Sequence, residues 1–385
     1  MKNIISIIAL SFCISSLAAQ SVKGLYVDGF NSILGNTQRE DSLLNYAQLN
    51  GFNYLALYEL HLVHAQYDMT DFSSITPLAD FISRAKTQFG ILKVGATAEN
   101  FWFFQNRVRP YNAAHTNINE KFDVYNLEFE FWINSTTGPS GYYCTTYLQP
   151  ASLPCDTSGA FAFYKNELRQ IDSVATLDGT ISETYVGWPN QGQCQQIAAL
   201  CDRVLVHAYV GTDATAYGYT QTRLSYFAGT SQSPNPIIVI FSSEQSFMGP
   251  WLNTNPETQA FSTYNSDFQN DASPWTAGID LLGYQWFAYT DMPYSLPLAV
   301  NEQENTAFHL FPHDEFLEIT FSNNIQEITS ATIYNSAGQL VYRVADTEIK
   351  NHCSISTGNY TSGIYFLTVQ YCGSAPVTKK FAIIR

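Results

Sequence analysis

The 385-residue sequence predicts an α/β fold: a (β/α)8 TIM barrel followed by a small all-β sandwich. Two patterns and one missing motif carry that expectation. Eight runs rich in branched and aromatic residues alternate with amphipathic helical patterns, the rhythm of a barrel in which each strand is followed by a helix. Beyond Leu298 the helical patterns stop, and short strand-like runs separated by turns take over. No G-x-G-x-x-G follows any strand, so an open, dinucleotide-binding sheet loses its main support.

Taken in order, Met1-Lys2-Asn3, the apolar run Ile4 to Ile14 and the small-residue exit Ser15 to Gln20 read as a secretory signal over residues 1–19, cleaved near Ala19. The barrel is expected over residues 20–298. Its strands are Lys23–Phe30, Phe52–Leu60, Ile91–Ala98, Phe122–Trp132, Ile181–Trp188, Arg203–Val210, Pro236–Ser243 and Leu281–Tyr289. Helical patterns lie between them at Arg39–Gln48, Ile75–Phe89, Ala160–Leu177, Gln193–Leu200, Thr220–Phe227 and Pro256–Phe268, with a weaker one near Gln105–Asn119. The sandwich is expected over 308–385, with strands Phe316–Phe321, Ile328–Asn335, Leu340–Val344, Gly363–Tyr371 and Lys379–Ile384. After the signal no run approaches the roughly 18 apolar residues of a membrane span, so no membrane insertion is expected.

Eighteen basic against 33 acidic residues, net −15, leave no electrostatic footprint for nucleic acid and disfavour an anionic substrate or membrane surface. A neutral partner fits best. Aromatic residues make up 15% of the chain and supply flat faces and hydroxyls suited to sugar rings. Six cysteines remain after cleavage, and nearness in sequence suggests Cys144 with Cys155, Cys194 with Cys201, and Cys353 with Cys372, although six cysteines permit about 15 pairings and sequence does not choose among them. No C-x-x-C pair occurs and the histidines are scattered, so neither metal nor cofactor is expected.

The stretch Phe122 to Trp132 organises the expected site. A strand sends alternate side chains to opposite faces, so Asn126, Glu128 and Glu130 share one face and Tyr125, Leu127 and Phe129 the other. On a surface strand that alternation is ordinary. In a barrel, function gathers at the C-terminal strand ends, which here carry Asp28, Glu59, Glu130, Trp188, His207, Tyr209, Glu244 and Trp286. Glu128 and Glu130 have Cα atoms about 6.5 to 7 Å apart, and two charges at that range repel by roughly 2 kcal/mol, enough to raise one acid's pKa.

Asp123-Val-Tyr-Asn126-Leu-Glu128-Phe-Glu130 resembles the D-x-x-D-x-D-x-E motif of family 18 glycoside hydrolases, the chitinases and endo-β-N-acetylglucosaminidases. Asn126 and Glu128 stand where that family has Asp. Val206-His207-Ala208-Tyr209 resembles the family's sixth-strand segment, and Tyr284-Gln285-Trp286 its eighth. The resemblance, over about residues 23 to 296, implies hydrolysis of β-1,4-linked N-acetylglucosamine by substrate-assisted retention. It implies Glu130 as the acid, Glu128 holding the acetamido N–H, Tyr209 orienting the acetamido oxygen, and Trp286 flooring the reacting sugar's subsite. Asn126, Asp28, Trp188 and Gln285 are expected substrate contacts. Two further readings stay open: a retaining glycosidase using Glu130 with Glu244 as nucleophile, and an inactive carbohydrate-binding barrel.

Ala331 to Val341, Ser362 to Thr368 and the ending Lys379 to Arg385 resemble the C-terminal sorting domain of type IX secretion substrates. That resemblance implies export through the periplasm by the type IX machinery, to be secreted or held at the cell surface; a monomer is expected, with an oligosaccharide or glycan as its other partner.

Overall fold

The computed structural model describes residues 21–71, 73, 75–230, 234–293, 308–312, 316–321, 328–335, 339–344, 352–371 and 377–383. The expected signal, residues 1–19, lies outside them. Eight parallel strands close into one barrel: β1 (Val22–Val27), β2 (Tyr54–Leu57), β3 (Lys93–Ala98), β4 (Val124–Leu127), β5 (Ile181–Val186), β6 (Arg203–His207), β7 (Asn235–Ser242) and β8 (Ile279–Phe287). Closure is made by β8 against β1, with Val22 opposite Gly283 and Leu25 opposite Trp286.

Alternation along the strands builds two apolar layers. Leu25, Leu55, Val94, Tyr125, Leu127 and Val206 face outward under the helices, while Tyr26, Tyr54, Ala56, Val124, Tyr185, Leu205, Ile238 and Ile240 fill the interior. Each fully buried aliphatic side chain contributes about 1.5 to 3 kcal/mol of transfer free energy. The helices sit where their patterns predict, including Thr37–Leu49, Thr76–Gln88, Thr157–Asp178 and Glu257–Asn270. Asp156 starts the helix after β4 by accepting the N–H groups of Ser158 and Gly159, and Gly179 ends it in the left-handed conformation.

A polar network threads the barrel interior. The Tyr26 hydroxyl donates to Asn126 Oδ1 (3.1 Å), Asn126 Nδ2 to Glu183 Oε1 (2.5 Å) and the Tyr54 hydroxyl to Glu183 Oε1 (2.8 Å). Arg203 Nε donates to Glu183 Oε2 (2.6 Å), a buried ion pair.

Three expectations need correction. β4 ends at Leu127 rather than Trp132: the Glu128 N–H still bonds Ala98 of β3 (3.1 Å), but Phe131 N–H turns back to Phe129 O (2.9 Å), and both phenylalanines bury on the helix side. Cys144 and Cys155 form the expected disulfide, whereas Cys194 and Cys201 are separate buried thiols. Cys194 lies in the helix Gln191–Ala198, and Cys201 lies beyond its end, where its Sγ donates to Ile197 O (3.5 Å). Burial pushes the Cys194 thiol up to about 12. Cys372 lies outside the described residues. The third correction concerns β8, where Ile237 pairs Leu281 but Ile238 pairs Gly283, so two residues oppose one. Gly283 takes φ +144°, and a Cβ there would come within 2.0 Å of Val22 O. The bulge reverses the facing: Leu282 points inward, Tyr284 and Trp286 outward, Gln285 and Phe287 inward.

The C-terminal strands form two antiparallel sheets, ordered β13-β10-β9 and β12-β11-β14-β15: β9 (Phe308–Pro312), β10 (Phe316–Phe321), β11 (Ile328–Asn335), β12 (Leu340–Val344), β13 (His352–Ser356), β14 (Gly363–Tyr371) and β15 (Val377–Ile383). Leu317, Ile319, Ile333, Leu367 and Val369 form a core of their own. The sequence pattern does not predict β9 or β13. No described helix is long and apolar enough to cross a membrane.

Candidate active site

Because all strands run parallel, their C-terminal ends share one rim, and the inward positions there converge. On β4, inward-facing Asn126 is followed by Glu128 and Glu130, both half-buried. Burial first, then the charges of Glu130 and Glu99, push the Glu128 carboxyl up to about 8. Burial also raises Glu130, as do the charges of Glu244 and Glu99, against a lowering hydrogen bond from the Tyr185 hydroxyl. Sequence spacing anticipates this mutual repulsion. It does not anticipate that Glu128, the deeper group, holds its proton to about pH 8.

Tyrosines surround the pair. Tyr185 at the end of β5 lies within hydrogen-bonding reach of Glu130 and Tyr209, and its hydroxyl meets His207 Nδ1 at 3.2 Å. The other imidazole nitrogen meets the Tyr219 hydroxyl at 3.4 Å. Burial, with Arg223 nearby, drops His207 to about 3, so the ring is a neutral spacer. Tyr209 packs between Phe247 (5.2 Å) and Phe287 (6.4 Å), and burial and the surrounding carboxylates raise its hydroxyl well above the usual tyrosine value. Trp188 is 55% exposed at the rim, with the Arg223 guanidinium 4.7 Å from its ring centroid.

Other expected contacts fall elsewhere. Trp286 is fully buried against Phe241 (5.2 Å) on the helix side of β8 and cannot floor a subsite; the inward aromatic is Phe287, put there by the bulge. Asn126 and Gln285 are sealed inside the barrel, Asn126 in the Tyr26–Glu183 network and Gln285 against Gly24, where a Cβ would come within 2.3 Å of its Cγ. Asp28 accepts both the N–H and the hydroxyl of Thr290, tying the β1 and β8 ends together. Glu59 accepts the Gly29 N–H (3.0 Å). Glu244 accepts the Ser242 hydroxyl (2.8 Å) and lies close enough for its charge to act on Glu130 and Tyr209. Among the described residues no group of three His, Cys, Asp or Glu side chains is arranged to hold a metal ion.

Sequence reading missed Tyr185, Phe287 and Glu99. Counting inward from Glu183 finds Tyr185, and the strand-end rule applied to β3 finds Glu99. It also missed the loop between β4 and its helix, where Tyr143 stacks on Phe129 (4.0 Å) and accepts the Glu130 N–H (3.3 Å). Nothing local in the sequence gives that contact.

Residues 311–384 match the family described as secretion system C-terminal sorting domain. The chain thus carries the sorting domain of type IX secretion and is exported to the cell surface or beyond. No curated protein matches the sequence. Among solved structures, Bacteroides uniformis β-glucuronidase 2 is 10% identical, with a TM-score of 0.44; the alignment covers 94% of this chain and 46% of that one. Bacillus subtilis HMG-CoA lyase is 11% identical, with TM-score 0.34, covering 69% and 76%. An immunoglobulin-like β-sandwich protein from Bacteroides vulgatus is 20% identical, with TM-score 0.18, covering 20% and 85%. At these identities and scores the likenesses leave activity to be argued from the rim residues themselves.

Proposed function

We propose that the chain is an exported glycoside hydrolase whose general acid is Glu130, acting on β-1,4-linked N-acetylglucosamine by substrate-assisted retention. One observation carries the reading: the strand pleat sets two carboxylic acids, Glu128 and Glu130, side by side at the barrel rim among the tyrosines Tyr143, Tyr185 and Tyr209, where burial raises both. Glu130 gives its proton to the glycosidic oxygen as that bond breaks, and the substrate's acetamido oxygen bonds the anomeric carbon. Water, losing a proton to Glu130, then opens the oxazolinium ring with retained configuration. Glu128 accepts the acetamido N–H through a carboxyl oxygen, and the Tyr209 hydroxyl orients the acetamido oxygen. Trp188 offers an exposed face for a flanking sugar. The acidic rim suits a neutral glycan.

Glu244 favours a second reading, in which it is the nucleophile of a two-carboxylate glycosidase, because its charge reaches Glu130. The experiment is Glu130→Gln against Glu244→Gln on an N-acetylglucosamine oligomer. The primary reading expects the first to abolish turnover with binding kept and the second to change little. A dead Glu244→Gln enzyme selects the two-carboxylate scheme, and binding without cleavage by the wild type makes the barrel a lectin.

A further inference from the structure

Glu99 follows the last residue of β3, and β3 is the hydrogen-bonded neighbour of β4, with Ala98 opposite Leu127 and the Glu128 N–H bonded to Ala98 O. Glu99 and Glu128 therefore leave adjacent strands side by side. The Glu99 carboxylate is gripped from the segment between β4 and the helix Thr157–Asp178, within which Cys144 and Cys155 are joined by a disulfide. Tyr147 donates to its Oε2 at 2.6 Å and Tyr142 to the same oxygen at 2.9 Å, while Asn100 Nδ2 donates to the Tyr147 hydroxyl at 3.3 Å. Tyr143 of this loop also receives the Glu130 N–H. One loop thus contacts both Glu99 and the backbone of Glu130, the two groups whose charges act on Glu128.

We propose that Glu99 is a positioning residue of this site, a negative charge fixed beside the Glu128–Glu130 pair by the tyrosine loop; the proposal rests on that pair being the reacting one. The groups facing Glu128 from the packed elements are Tyr26, Tyr58, Tyr143, Tyr185 and Tyr209, all raised and hence neutral, together with the carboxyl groups of Glu130 and Glu99. Burial, Glu130 and Glu99 all act on Glu128 in the same direction. A fixed anion there makes the loss of the pair's proton harder, which preserves the acid form needed for protonating a leaving group. Burial alone would do part of this; the clamp adds a charge that the fold cannot move away.

The test is Glu99→Gln in the full chain, read by carboxyl carbon-13 NMR titration of Glu128, assigned with Glu128→Gln, and by the pH–rate profile. The apparent pKa of the pair should fall by about half to one pH unit, and the alkaline limb of the profile should move down with it. Tyr147→Phe keeps Glu99 but removes its shorter hydrogen bond and should give a smaller shift in the same direction; it decides the question if Glu99→Gln does not fold. An unmoved titration in a folded variant overturns the proposal, including the case where only KM rises, which would make Glu99 a plain substrate contact. A shifted titration in a protein that cleaves no glycan would sink the hydrolase reading and leave the role of Glu99 standing.

Discussion

Replacing Glu128 by Gln should make the protein's stability less sensitive to pH, and the size follows from the site. The Glu128 carboxyl has an ordinary value of 4.5 and is pushed up to about 8 by burial and by Glu130 and Glu99. Between those values the folded protein keeps a proton that the unfolded chain releases. Raising the pH therefore favours unfolding; the stability tied to this group is complete below pH 4.5 and is lost as pH climbs through about 8. The slope is about 1.4 kcal/mol per pH unit, so wild type should lose on the order of 5 kcal/mol across the window. The amide of the Glu128→Gln variant keeps the shape and has no proton to lose. Melting midpoints of the two proteins should nearly coincide at about pH 5 and separate by roughly 10 °C at about pH 8.5, with the variant the more stable. The other acids contribute to both curves, so the difference isolates Glu128 and its coupling to Glu130. Parallel curves across that range would refute the claim that half-buried Glu128 stays neutral in the folded protein.

Three further outcomes are expected. Glu183→Gln strands the Arg203 guanidinium in the barrel without its counter-charge and should cost about 3 to 5 kcal/mol, seen as a fall of roughly 10 °C in Tm; an unchanged midpoint would mean that the ion pair is not worth its desolvation. Trp188→Ala, placed in the Glu130→Gln background, should weaken oligosaccharide affinity about tenfold by calorimetry while leaving the titration of Glu128 where it is, since the ring lies at the rim. Truncation after Leu298 should leave a folded barrel in the periplasm, because among the described residues neither barrel core contains one beyond Met292; its appearance outside the cell would remove the sorting role from the C-terminal strands.

By itself the sequence determined whatever depends on local periodicity. Strand-then-helix alternation with period-two runs specified eight parallel strands, and β11, β12 and β14 keep the bounds that their turn residues predict. The same rule placed Asn126 and Glu128 on one inward face and drew attention to Glu130, since alternation is a property of the pleat alone. Only the tertiary structure decided which of these residues meet. A single extra residue at Leu282-Gly283 turned Trp286 to the helices and Phe287 to the cavity, and a bulge of that kind is set by how β8 pairs β7, not by the segment's own pattern. Glu99 reached Glu128 because β3 and β4 are neighbours, and its tyrosine partners came from a loop more than 40 residues further on, where one disulfide closes the chain. Burial, which depends on every strand at once, set the proton affinity of Glu128: the sequence holds the two acids in line, and the closed barrel keeps one of them neutral.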